Sequence, residues 1–283
     1  MDWMREKPHW PFADSSRFVT VRPHRWHVQS VGHGPDVICL HGAGGATQSW
    51  RALAPLLAKD MRLILVDLPG QGFTDLGARS RCGLDPMAQD LLSLAESEGW
   101  EVSRLMCHSA GTAIALRMAE LRGEPLRIFG INGALGSFEG MAGWLFPIMA
   151  KAMALNPLTA RFVAATMTRG SVKRLLRGTG SDIDATGAEL YFRLASDAAH
   201  VDGTLAMMAQ WNLNGLLSRL EKNPALATLA TSSGDKAVPP GQSMEAARRL
   251  PGGQHLDLGR YGHLVHEEAA QIVAPHVKTA LLA

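Results

Sequence analysis

Cysteine is scarce in this 283-residue sequence, which carries only Cys39, Cys82 and Cys107. An odd number without paired spacing builds no disulfide framework, and the lack of any Cys-x-x-Cys removes a common zinc signature. That usage suits a reducing compartment, so the expected location is the cytoplasm. The first residues, Met1-Asp2-Trp3-Met4-Arg5-Glu6-Lys7-Pro8, hold no apolar stretch of the kind a secretory signal needs. No apolar run is long enough to span a bilayer. The nearest, Trp144 to Leu155 (WLFPIMAKAMAL), is short and contains Pro147 and Lys151. An excess of one charge is missing too: 28 Lys and Arg stand against 26 Asp and Glu, a formal net charge of +2. A nucleic-acid partner, which needs Lys and Arg gathered on one face, is not expected. The pair Arg248-Arg249 on a predicted helix reads as a solvated face. Internal repeats and low-complexity linkers are also absent.

What is present is apolar substance and alternation. Hydrophobic residues make up 46% of the chain, enough for one sizeable core with an inserted subdomain. Phe18 to Arg22 and Trp26 to Val31 read as an antiparallel edge hairpin, followed by strands at Val37 to Leu40 and Leu63 to Val66. Ser49 to Ala58 and Asp85 to Glu98 read as helices. Leu105-Met106-Cys107 is a strand, Ala110 to Leu121 a helix and Leu126 to Ile131 a strand. From Gly136 to about Leu216 the alternation stops, and only helix-like segments rich in Met, Ala and Leu appear. It resumes with strands at Ala225 to Thr231 and His255 to Leu258 and a terminal helix from His266. The pattern implies an α/β fold with a parallel sheet covered by helices. Its parts are a core over 1–135 and 217–283 and a helical insertion over 136–216.

The sharpest motif is Met106-Cys107-His108-Ser109-Ala110-Gly111, set between a strand and a helix. A nucleophile elbow reads G-x-S-x-G, with small residues two before and two after the serine because the turn is tight. Gly111 fits that pattern, and Cys107 stands where the first glycine belongs. A serine needs a base to take its proton, and the base needs an acid to fix its tautomer. In this architecture the chain order is serine, acid, histidine. Ser232-Ser233-Gly234-Asp235 follows one predicted strand and Gly259-Arg260-Tyr261-Gly262-His263 follows the last. Asp235 and His263 therefore fall at strand C-terminal ends, where catalytic groups of open α/β sheets gather. The oxyanion of ester attack needs prearranged donors. These are expected from the backbone N–H of Ala110, at a helix start, and of Ala43 in the loop His41-Gly42-Ala43-Gly44-Gly45. That loop lacks the spacing of a nucleotide-binding glycine motif.

Other candidates fit less well. Asp67, before Leu68-Pro69-Gly70, suits a structural turn, and His41 a structural role. His266 opens the terminal helix and suits a cap or a surface. The expected substrate contacts are Gly42, His108, Asn132 on the pocket floor, and Trp144, Phe146 and Trp211 in a lid formed by the insertion. Met141, Met149, Met153, Met167, Met207 and Met208 also lie there, and flexible Met-rich surfaces accommodate large apolar ligands. Trp3, Trp10 and Phe12 of the N-terminal arm either pack on the domain or touch a membrane surface peripherally. No metal site and no cofactor is expected.

From about Phe18 to the C-terminus these residues resemble the α/β-hydrolase superfamily. Four segments, MDWMREKPHWPF at the start, INGAL (Ile131 to Leu135), RGTGSDID (Arg177 to Asp184) and LAMMAQWNL (Leu205 to Leu213), resemble one branch of it more specifically. That branch comprises the magnesium-chelatase accessory proteins of bacteriochlorophyll biosynthesis. The resemblance implies a mostly parallel eight-stranded sheet with a helical lid, and a Ser109–Asp235–His263 triad. It also implies work near the insertion of magnesium into protoporphyrin, with a small-molecule substrate such as a porphyrin and the chelatase subunits as partners. Three functions are compatible with it: an esterase acting on a tetrapyrrole, a porphyrin-binding accessory protein without turnover, and a cofactor-free perhydrolase or C–C hydrolase. Fold does not choose among them.

Overall fold

The computed structural model describes residues 1–136 and 157–283. Eight strands form one sheet in the order β1-β2-β4-β3-β5-β6-β7-β8. Their ranges are β1 Ser16–Val21, β2 His24–Val31, β3 Asp36–Leu40, β4 Arg62–Val66, β5 Arg104–His108, β6 Arg127–Ile131, β7 Leu226–Thr231 and β8 Gly252–Asp257. The pairs β1–β2 and β2–β4 are antiparallel, and all others are parallel. The central strands are continuous apolar runs because both faces of a parallel sheet are covered by helices. Successive side chains alternate between two cores. Ile38, Leu40, Ile64, Val66, Leu105 and Ile128 point into one. Val37, Cys39, Leu63, Leu65, Met106 and Phe129 point into the other.

The helix expected over Ser49 to Ala58 is instead a 3₁₀ turn, Thr47–Trp50, followed by a single helical turn, Ala54–Leu57. Pro55 explains the break: it lies in the first turn of that short helix and has no N–H to donate to a carbonyl of the preceding turn, so the helix cannot run back through it. The terminal helix is likewise split into Val265–Glu268 and Ala270–Leu282. Between β6 and β7 the described residues form the helices Pro157–Thr166, Arg169–Gly178, Ala185–Ala195, Ala198–Gln210 and Asn214–Leu217. Asp184 and Asp197 cap two of them, accepting from backbone N–H groups of the first turn.

The N-terminal arm is turned into the protein. Trp10 donates to Thr47 Oγ1 at 3.0 Å, and it meets Phe73 edge-on with ring centroids 4.7 Å apart. Trp3 does the same to Phe18 and Phe73. Glu6 of the arm accepts from Arg193 of the insertion at 2.7 Å. Among the described residues no helix is long and apolar enough to cross a membrane.

Candidate active site

β5 lies between β3 and β6, so the turn after it opens near the centre of the sheet's C-terminal edge. Ser109 occupies that turn with φ 51° and ψ −119°. A non-glycine residue there is strained and persists only when its surroundings hold it. They do so through three backbone hydrogen bonds. Ser109 N–H donates to Ile131 O at 3.0 Å, and Ser109 O accepts from Thr112 and Ala134 N–H, each at 3.1 Å. Gly111 is obligatory because a Cβ would lie 2.4 Å from Leu40 O. Cys107 stands opposite Gly130 of β6, and its thiol is fully buried in the core. Burial pushes that thiol up, out of reach of ionisation. Replacing Cys107 by glycine is expected to cost about 2 kcal/mol in urea unfolding, from a lost buried side chain and a looser strand. Unchanged stability would mean that the thiol packs to no effect.

The acid and base meet. His263 Nδ1 donates to Asp235 Oδ2 at 2.7 Å, and Asp235 Oδ1 accepts from Ala237 and Val238 N–H at 2.8 and 2.9 Å. With Nδ1 carrying the proton, Nε2 of His263 is the lone-pair nitrogen. Among the described residues Ser109 Oγ makes no hydrogen bond to it, and such bonds often tighten only when a substrate is bound. The loop after β3 presses on the nucleophile: a Cβ on Gly42 would lie 2.9 Å from both Ser109 Cβ and His108 Nδ1. Ala110 opens the helix Ala110–Arg122, where the first N–H groups have no partner within the helix. Ala43 N–H, in an exposed stretch of the loop, has no acceptor among the described residues. The loop itself is held by Gln71, whose Oε1 accepts from Gly44 N–H at 2.7 Å. His200 of the insertion stands 3.2 Å from Gly44 O.

Two expected substrate contacts are committed elsewhere. Asn132, with φ 46°, gives Nδ2 to Gly262 O and His263 O at 3.1 and 2.9 Å and accepts Ser232 N–H at 2.9 Å. It ties strand ends together. His108 points behind the base, with Nε2 at 3.0 Å from His263 O and its ring 4.6 Å from that of His263. Trp211 lines a cavity of about 670 Å³ with Leu213, Leu217, Val238, Gln242 and Arg249. This cavity adjoins Ala134 and Ala237, next to the serine and acid loops, but neither Ser109 nor His263 lines it. Trp144 and Phe146, like Met141, Met149 and Met153, lie outside the described residues.

Asp67 accepts from Thr47 and Phe73 N–H at 2.7 and 2.9 Å and pairs with His27 at 2.7 Å, a structural turn. His41 is structural as well: Nε2 accepts Leu68 N–H at 3.0 Å. His266, expected as a cap or at the surface, is completely buried. It packs against Trp50 and His108 with ring centroids 5.2 and 4.4 Å away. Beside it, Glu267 pairs with Arg51 of the core and accepts from Tyr191 of the insertion at 2.8 Å. Burial pushes Glu267 up to about 7 against the pull of Arg51. No short motif announces this group, because its members are spread along the chain from Arg51 to Glu267.

The comparisons with known proteins agree with this architecture. The chain is 42% identical over 266 residues to a protein of Rhodobacter capsulatus named magnesium-chelatase 30 kDa subunit, covering 92% of each. It is 27% identical over 246 residues to a pimeloyl-[acyl-carrier protein] methyl ester esterase of Xanthomonas campestris, covering 84% of this chain and 91% of that one. A solved α/β hydrolase fold protein from Burkholderia ambifaria superposes with a TM-score of 0.76 at 20% identity, over 93% of this chain and 97% of its own. With the alpha/beta hydrolase family model matched over residues 37–275, on a sheet whose strand ends carry the serine, the acid and the histidine, the chain belongs to the α/β hydrolase family.

Proposed function

We propose that this protein is a serine hydrolase that cleaves an ester of a tetrapyrrole near the magnesium chelatase step of bacteriochlorophyll biosynthesis. The observation that carries the chemistry is the 2.7 Å hydrogen bond from His263 Nδ1 to Asp235 Oδ2 behind a serine held at positive φ. His263 Nε2 takes the Ser109 proton as Oγ attacks the ester carbonyl, and Asp235 stabilises the imidazolium that forms. The N–H groups of Ala110 and Ala43 receive the oxyanion. Collapse expels the alcohol, which takes the proton from His263. Water, deprotonated by the same imidazole, then releases the acid and restores Ser109.

Support for the substrate comes from the relative named a magnesium-chelatase subunit and from the cavity at Trp211, whose lining mixes Leu213, Leu217 and Val238 with Gln242, Glu245 and Arg249. Gly42 contributes close packing, and the insertion acts as the lid over the site. Chelatase subunits are the proposed partners, and membrane contact is at most peripheral. A fluorophosphonate is expected to label the protein and to spare Ser109→Ala; a folded wild type that resists labelling would overturn the reading.

The name subunit also favours a second reading, a tetrapyrrole-binding accessory protein without turnover. Complementation of a deletion strain separates the two. Restored pigment with Ser109→Ala supports binding alone, and lost pigment with porphyrin binding intact supports hydrolysis.

A further inference from the structure

The segment Arg177 to Asp184 leaves the helix Arg169–Gly178 of the insertion and ends at the first turn of the next one. It contacts both loops that bear the acid and the base. Thr179 O accepts Lys236 N–H at 3.0 Å, beside Asp235, and His263 N–H at 3.3 Å. Ser181, 2% exposed, accepts Leu264 N–H on Oγ at 2.9 Å. Glu268 adds a second strap, accepting Asp182 N–H at 2.6 Å and Gly262 N–H at 3.0 Å.

The packing is backbone on backbone. At Gly180, φ is +86° and a Cβ would lie 2.1 Å from Gly234 O. At Gly262, a Cβ would lie 2.4 Å from Gly180 C and Ser181 N. Three glycines on three distant stretches of chain thus share one contact. The opposite side of His263 is fixed from the core, where its carbonyl receives Asn132 Nδ2 and faces His108 Nε2. The base is therefore held through its N–H by the insertion and through its C=O by the sheet.

We propose that Gly180 and Ser181 are positioning residues. By clamping the backbone of His263 to the loop of Asp235, they couple the seating of the insertion to the alignment of the acid and base. This rests on the reading of Ser109, Asp235 and His263 as a triad. The insertion then has a role beyond covering the site, because displacing its Thr179–Ser181 turn releases the base from one side.

The test uses the full-length protein and two readouts. The first is the far-downfield proton resonance of His263 Nδ1–H, assigned by its loss in Asp235→Ala. The second is the rate of fluorophosphonate labelling as a function of pH. Ser181→Ala removes the acceptor of Leu264 N–H and of the Thr179 hydroxyl, which donates to it at 2.9 Å, and a loss of base alignment on the ångström scale is expected to slow labelling by about 10²-fold. It should also broaden or erase the resonance and move the midpoint of the pH profile, while Ser181→Thr restores all three. Gly180→Ala should act in the same direction more strongly. Because it places a Cβ against backbone, it is judged only if its circular dichroism matches wild type.

A purely structural role predicts a lower melting temperature with the resonance and the pH midpoint unchanged in the folded protein, and that result overturns the proposal. If wild type shows the resonance but no labelling, hydrolysis fails as a function, while loss of the resonance in Ser181→Ala still upholds the clamp. If wild type labels and Ser181→Ala keeps both rate and resonance, the clamp fails and the hydrolase reading stands.

Discussion

Replacing Asp235 by asparagine is expected to slow the reaction of Ser109 with a fluorophosphonate by about 10⁴-fold, or roughly 5 kcal/mol of barrier, with the fold retained. The side chain keeps its shape, and its oxygen can still accept the N–H groups of Ala237 and Val238, now at 2.8 and 2.9 Å from Asp235 Oδ1. What changes is the group facing His263 Nδ1. An amide NH₂ there is a donor, so the imidazole must turn its lone pair toward it and carry the proton on Nε2 instead. That tautomer cannot accept the serine proton. His263→Ala should cost at least as much, because it removes the base itself and not only the group that orients it. Asp67→Asn supplies the contrast: it disturbs a buried turn built on Thr47, Phe73 and His27 and should lower the melting temperature while leaving the reaction of the folded protein unchanged. Labelling rates measured beside thermal melts decide it. An Asp235→Asn rate within about tenfold of wild type would remove Asp235 from the mechanism.

The second large effect is on stability in acid. His200 and His266 are buried, and burial lowers them from an ordinary 6.5 to about 4 and about 3. Burial moves His41 and His108 the same way. Below pH 6.5 the unfolded chain takes up protons that these native imidazoles refuse. Their contribution is thus present above pH 6.5 and lost as the pH falls. For His200 and His266 the loss from pH 7 to pH 5 is about 2 kcal/mol each at 1.36 kcal/mol per pH unit. Glu267, raised to about 7, has the opposite sign. Its neutral form is favoured by folding, so its contribution is present at low pH and lost as the pH rises through 7, offsetting about one histidine.

The net expectation is a drop of at least about 2 kcal/mol between pH 7 and pH 5, a sizeable share of the 5–15 kcal/mol that folded domains possess. Urea unfolding at the two pH values measures it. His266→Phe should flatten the dependence and Glu267→Gln should steepen it. Equal stability at both pH values in wild type would show that these rings are hydrated.

The parts of this molecule that were legible in its sequence are those with a local cause. β3, β4 and β5 are short apolar runs ending in polar turns, and a strand buried on both faces reads that way. Ser109, Asp235 and His263 stand out because each follows such a run, in the order the architecture imposes. The helix read over Ser49 to Ala58 takes no account of Pro55, which confines helical geometry to Ala54–Leu57. His266 was harder. The residues Glu267-Glu268 after it look like a solvated helix start, whereas the chain dips into the core before the helix Ala270–Leu282 begins. Asn132 reads as a pocket residue because it ends a strand beside the elbow, and what the sequence does not show is that its side chain bonds backbone groups a hundred or more residues away. The Thr179–Ser181 turn is the extreme case, since its meaning lies in partners near Lys236 and Leu264 that only the fold brings to it.

The three thiols have a practical consequence. Cys39, Cys82 and Cys107 are all free and buried, and burial raises each of them, Cys82 to about 11. Since thiolates and not thiols react with maleimides and haloacetamides, the native chain is a silent background for such reagents. A single cysteine introduced at exposed Arg174 would be the group that reacts, giving a fluorophore on the insertion without removing any native residue that packs the core. Its emission would then report, in real time, whether that helix shifts when Ser109 is modified.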